Sequence, residues 1–191
     1  MNIKEMKLVD KALLNFVKKS NTLILDVKTD GKVLLGNGFI ALTCDIKFLN
    51  VDVKAEIYKK LEVIPSVDNP KSLRTNGFGG GASEYNNQSI WDMFGDKFDV
   101  VYEDTGLLCN DACMIFATKT DDKINYKFIN KEFYVFAKTL CLGSQIMSKE
   151  VSILTPLRMT DSIFGVIFCT RRRNIPEYLK QTKIKNGEGK Q

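Results

Sequence analysis

The feature that most constrains the fold is a change of hydrophobic period that happens twice along the chain. Met6, Val9, Leu13 and Phe16, joined by Ala12 and Val17, recur three and four residues apart, which predicts an amphipathic helix over residues 3–19. The helical period then stops. Thr22–Val27, Lys32–Leu35 and Phe39–Cys44 read as short strands separated by the turn pairs Asp30–Gly31 and Asn37–Gly38. The same succession returns later. Asn130 is placed to cap a helix over Lys131–Cys141, whose apolar positions Phe133, Phe136, Ala137 and Leu140 share one face, and Gly143 ends it. Val151–Leu154 and Ile163–Thr170 then read as strands joined through Thr160–Asp161. Identity between the two stretches is negligible, so what repeats is architecture. Helices followed by hairpins imply an α+β fold: antiparallel sheet with two to four helices packed on one face.

Between the repeats, residues 51–60 form a short helix presenting Val53, Ile57 and Leu61. Residues 65–95 read as an irregular, glycine-rich insertion, punctuated by Pro65, Pro70, Gly77, Gly79, Gly80 and Gly81. Within it, Ser89–Phe94 is a helical turn around Trp91, the single tryptophan. Lys97–Tyr102, Leu107–Cys109, Cys113–Thr118 and Ile124–Phe128 make a meander. The expected organisation is one domain over residues 1–175 and a basic, disordered tail over 176–191.

The chain contains no histidine, which removes serine–histidine and cysteine–histidine nucleophilic pairs and histidine-ligated metal sites. The five cysteines, Cys44, Cys109, Cys113, Cys141 and Cys169, are odd in number and scattered, the pattern of free thiols in apolar surroundings. Neither a metal nor another cofactor is expected, and no catalytic pattern is present. Asp99, Glu103, Asp104 and Asp111 lie close in sequence, and Asp26-x-Lys28 is a second weak echo of a metal-dependent nuclease; these define an enzymatic alternative. No apolar run is long enough to cross a membrane and no secretory signal opens the chain, so a cytoplasmic protein is expected.

The net charge of +5 resides in residues 171–191, where Arg171, Arg172, Arg173, Lys180, Lys183, Lys185 and Lys190 outnumber Glu177 and Glu188; the preceding residues are neutral. Within that neutral body, Lys4, Lys7, Lys11 and Lys18 form one stripe on the first helix, and Lys131 and Lys138 stand seven apart on the later one. Together with Arg171, Arg172 and Arg173 they are the candidate DNA-binding residues. The glycine run Gly77–Gly81 lacks the strand before it and the lysine after it that a phosphate loop needs. Asn76, Gly77, Gly79, Gly80, Ser83 and Trp91 still offer amide, hydroxyl and aromatic groups, and they define an alternative site for a small, nucleotide-like ligand.

The helix Met6–Val17 with strands Thr22–Cys44, and Ile124–Leu140 followed by Val151–Arg171, resemble a single module of the DNA sliding clamps. INKEFYVFAKTL is similar to the clamp strand that enters a capped helix, and IFGVIFCTRRR to the terminal strand closing on an arginine. Residues 46–95 depart from that pattern. The resemblance implies a clamp-like fold with an internal pseudo-repeat, helices lining a DNA side and strands forming an outer shell. It also implies a homo-oligomer, since one module cannot close a ring. Low-GC residue usage, rich in Lys, Asn and Ile, suits a lone module of phage or mobile-element type. Its partner would be DNA or a replication or defence protein of the host.

Overall fold

The computed structural model describes residues 2–75, 81–109, 112–121 and 123–180, with Lys180 described by its backbone alone. The first helix, α1 (Ile3–Lys19), begins on a capping box. Asn2 Oδ1 accepts the Glu5 N–H at 2.9 Å and Glu5 Oε2 accepts the Asn2 N–H at 2.7 Å, which satisfies two amides that a helix start leaves open. Its buried side chains are Val9, Leu13, Phe16 and Val17. At its far end the Lys60 ammonium donates to the carbonyls of Lys18 and Ser20, at 3.1 and 2.7 Å, closing the C-terminus from the next helix.

That helix is α2 (Val51–Leu61), capped by Asn50 and ended by Glu62 in the left-handed region at φ 56°. Three further α-helices follow among the described residues: α3 (Gln88–Gly95), α4 (Lys131–Leu140) and α5 (Glu177–Lys180). The strands are β1 (Ile24–Val27), β2 (Lys32–Gly36), β3 (Ile40–Asp45), β4 (Ser72–Thr75), β5 (Ala82–Glu84), β6 (Val100–Cys109), β7 (Cys113–Thr120), β8 (Lys123–Asn130), β9 (Ile146–Ser148), β10 (Leu157–Thr160) and β11 (Gly165–Phe168). They join in one antiparallel sheet of 11 strands, in the order β5-β4-β1-β2-β3-β11-β10-β9-β6-β7-β8. The fold is α+β.

The middle of that order is a palindrome. α1-β1-β2-β3 and α4-β9-β10-β11 each run from a helix through a three-stranded meander, and the two meanders meet where β3 pairs antiparallel with β11, Thr43 opposite Gly165 and Ile40 opposite Phe168. Equivalent hairpins even use the same turn chemistry. Asn37 Oδ1 accepts the N–H groups of Phe39 and Ile40, and Asp161 Oδ1 accepts those of Ile163 and Phe164. In each turn the backbone N–H of that same residue donates to the carbonyl three residues on. Short side-chain acceptors in these positions build a turn by mimicking backbone.

Alternation along the strands separates two faces. One cross-strand row reads Leu73–Leu25–Leu35–Leu42–Val166–Met159, wholly apolar and buried. It belongs to the main core with side chains of α1, α2 and α4. The neighbouring row on the opposite face reads Arg74–Ile24–Gly36–Ala41–Ile167–Arg158. α3 covers this second face. The Phe94 ring stands 3.3 Å from where a Cβ on Gly165 would be, and the Arg158 guanidinium donates to the carbonyls of Phe94 and Asp96, both at 3.0 Å, while lying over the Phe98 ring. Three helices thus share one face, and α3 sits on the other.

The expected irregular insertion 65–95 contains β4, β5 and α3; β4 extends the sheet by pairing with β1, because Leu73 supplies the one apolar side chain the core row needs. The strand expected at Val151–Leu154 is a turn-rich loop, and β9 and β10 flank it. Lys127 is the cause. This fully buried lysine on β8 donates to the carbonyls of Ser152 and Thr155, at 2.6 and 2.7 Å, over the Tyr102 ring, and so holds the loop in a shape no ladder allows. Burial lowers its pKa to about 8, with Glu150 acting the other way. The two strands expected at Lys97–Tyr102 and Leu107–Cys109 are one strand, β6, with an irregularity between Asp104 and Leu108 where Gly106 takes φ 70°. The tail expected from residue 176 begins as α5, whose Leu179 is buried against Ile115 and Phe128; residues 181–191 lie outside the described residues. Cys44, Cys113 and Cys141 are buried free thiols, Cys109 is half-buried, and Cys169 is exposed.

Candidate functional site

α1 and α4 lie side by side on the apolar face and run antiparallel. Glu5 and Leu8 share a depression with Val135, Lys138, Thr139 and Leu142, while Ala12, Asn15, Phe16 and Lys19 share the adjoining one with the first two turns of α4. Phe16 stacks on Phe136 at 4.9 Å between ring centroids. Because Val9, Leu13, Phe16 and Val17 point at the sheet, a stripe at positions 4, 7, 11 and 18 must point away from it. Lys4, Lys7, Lys11 and Lys18 are all exposed, as are Lys131 and Lys138 on α4. Among the described residues none of these six makes an ion pair. Lys138 instead lies over the Tyr134 ring, 5.5 Å from its centroid.

Arg171 does not join this surface. It bridges Phe128, its backbone N–H donating to that carbonyl at 2.8 Å and its guanidinium reaching to 4.0 Å from Cys113 Sγ, on the sheet side where Phe128 packs with Ile115 and Leu179. Arg172 and Arg173 are exposed. Between the helices runs a groove of about 410 Å³ with Phe133, Val135 and Phe136 in its wall.

A second site lies on the opposite face of the sheet. Asp26, Lys28, Thr29, Lys71, Ser72, Tyr85, Asn86, Asn87 and Gln88 surround a pocket of about 360 Å³, with Val27 and Pro70 as apolar wall. Asp26 is 5% exposed and Asn87 1%. Ser72 Oγ stands at the centre. It contacts Asp26 Oδ2 at 3.0 Å and the Tyr85 carbonyl, and it accepts the Asn87 Nδ2–H at 2.9 Å. Among the described residues Asn87 Oδ1 is buried without a partner, and so is Trp91 Nε1. The Lys28 ammonium lies over the Trp91 ring at 5.3 Å.

Of the small-ligand residues expected from sequence, Trp91 is on α3 next to this pocket, Ser83 is on β5 opposite Arg74, and Asn76, Gly77, Gly79 and Gly80 lie outside the described residues. Ser72 and Asn87 were missed as site residues. Neither sits in a motif, since the pocket is assembled from β1, β4 and the start of α3. Asp26 did carry a signal: it is a carboxylate inside the apolar strand Ile24–Val27.

Among the described residues the acidic side chains of the nuclease alternative do not gather in a group of three. Asp99 pairs with Lys97 at 3.0 Å, Glu103 is exposed, and Asp104 accepts the Tyr134 hydroxyl at 3.1 Å; Asp111 lies outside the described residues. Burial, helped by the Asp104 charge and that hydrogen bond, pushes the Tyr134 phenol up to about 12. No group of three His, Cys, Asp or Glu side chains gathers as a metal site among the described residues. No described helix is long and apolar enough to cross a membrane. Comparison with protein-family models, with curated protein sequences and with solved structures finds no match for this chain.

Proposed function

We propose that this chain is a non-enzymatic binding protein that holds the DNA backbone across the outer face of α1 and α4, as a clamp-like module. One observation carries the reading: two antiparallel helices from separate halves of the chain turn six exposed lysines, none of them ion-paired among the described residues, away from the same sheet face. Unpaired lysines attract phosphate through charge and do not read base edges, so binding is sequence-tolerant. The palindromic arrangement of the two helix–meander units supports the clamp kinship, since an internal twofold places both helices at matching positions. A single module flanks only part of a duplex, and assembly of several copies is part of the proposal.

Anisotropy of a labelled duplex, titrated with protein at several salt concentrations, tests it. Engagement of all six lysines gives a slope of roughly −5 in log affinity against log salt. The triple variant Lys7→Glu, Lys11→Glu, Lys138→Glu loses retention while its far-UV spectrum and melting temperature stay within the small range of surface substitutions. A wild-type affinity that ignores salt, or a triple variant that binds as well as the parent, rejects the reading.

A further inference from the structure

In the pocket on the α3 face one hydroxyl is asked to serve more acceptors than it can. Ser72 has one proton and two acceptor neighbours, Asp26 Oδ2 and the Tyr85 carbonyl, so one of them goes without it. Turning the Asn87 amide over does not help. Ser72 would then face three acceptors with a single proton, so the amide stays with Nδ2 toward Ser72 and Oδ1 remains the orphan. A carboxylate 5% exposed and an amide oxygen on a residue 1% exposed are a costly pair to leave short of donors. The missing partner must donate hydrogen bonds.

The rest of the pocket narrows its chemistry. A volume of about 360 Å³ with Val27 and Pro70 in the wall suits an organic molecule and is far larger than a bare ion needs. Lys28 and Lys71 line the same pocket, so a purely cationic ligand would be repelled and one with an anionic end is favoured. We propose that this pocket binds a small molecule with two adjacent N–H donors at one end, which meet the Asp26 carboxylate, and an anionic group at the other, which meets Lys28 and Lys71. That chemistry is shared by guanine nucleotides and by free arginine. Paired N–H donors match a carboxylate in bidentate geometry. The site is independent of the DNA reading, because it uses the opposite face of the sheet.

Trp91, the single tryptophan, reports on the pocket through Lys28. The full chain is titrated with GMP, with L-arginine, with IMP, which lacks the second N–H donor, and with calcium chloride, following Trp91 emission and melting temperature. The expected result is a saturable change and a raised melting temperature with GMP or with arginine, and whichever acts names the source. If GMP acts, IMP binds at least about tenfold more weakly. Asp26→Asn abolishes the response, and Lys28→Ala, at a half-exposed position that leaves the fold alone, weakens it several-fold. No response to GMP or arginine at millimolar concentration overturns the proposal. So does a response to calcium alone, equal binding of GMP and IMP, or binding that survives both substitutions.

Discussion

The two faces of the sheet are built to different rules. On the α1–α2–α4 face the central row is apolar from Leu73 to Met159, and nothing in it needs a partner other than a neighbouring methyl group. On the α3 face the corresponding rows hold Arg74, Gly36, Arg158, Asp26 and Thr43. Buried and half-buried polar groups there depend on particular contacts, as Arg158 does on the carbonyls of Phe94 and Asp96 and Asp26 on the Ser72 hydroxyl. Area removed from water stabilises without regard to orientation, whereas a buried polar group stabilises only when its geometry is met. The first face therefore carries most of the stability and the second carries the shape-dependent chemistry. The difference teaches where to look for each.

The contrast can be broken or sharpened by substitution. Phe168→Ala, at a fully buried position on the apolar face, should cost about 3–5 kcal/mol in denaturant unfolding, the largest effect of any single change here. A loss below about 1 kcal/mol would deny that this face dominates. Gly165→Ala attacks the α3 face alone. Its new Cβ would stand 3.0 Å from Thr43 Oγ1 and 3.3 Å from the Phe94 ring, so about 1–3 kcal/mol is expected, with a change in Trp91 emission as α3 shifts. Unchanged emission would mean that α3 does not rest on this contact.

The last test concerns Lys127, a buried charge that stands opposite the core residue Phe116. Its folded pKa, about 8, lies below the unfolded value of 10.5, so the unfolded chain holds the proton more tightly. Below about pH 8 this opposes folding, and the penalty is relieved as pH rises from about 8 to 10.5. Cys44 and Cys141, raised to about 12 by burial, act in the opposite direction above pH 9, because their thiols ionise more readily in the unfolded chain. The expected outcome is therefore a difference: between pH 8 and 10.5 the wild type gains stability relative to Lys127→Met. Parallel pH curves for the two proteins would show that Lys127 is hydrated in the native state.

Much of the helical structure was legible because helix signals are local. Three- and four-residue spacings, Asn130 as a cap, and the turn pair at Asn37–Gly38 all act within a few residues. The Asn2–Glu5 capping box was equally local and went unread. β4 was missed because Ser-Leu-Arg-Thr carries one apolar residue, and Val151–Leu154 was misread because an apolar run resembles a strand until Lys127 claims its carbonyls. The lysine stripe was visible from spacing alone. The Asp26–Ser72–Asn87 contacts were not, since they join residues 46 and 15 positions apart.

The amino-acid order on its own settled the helices over residues 3–19, 51–60 and 131–141, the wet side of each, the turns at Asp30–Gly31, Asn37–Gly38 and Thr160–Asp161, and the lack of any histidine for chemistry. Tertiary structure alone decided that α1 and α4 share a face, that α3 takes the other, and that a carboxylate, a hydroxyl and an amide meet in one pocket. The reason is range: dihedral preferences and hydrophobic periods act over a turn or two of chain, whereas strand register and cross-sheet contact depend on the packing of every element at once.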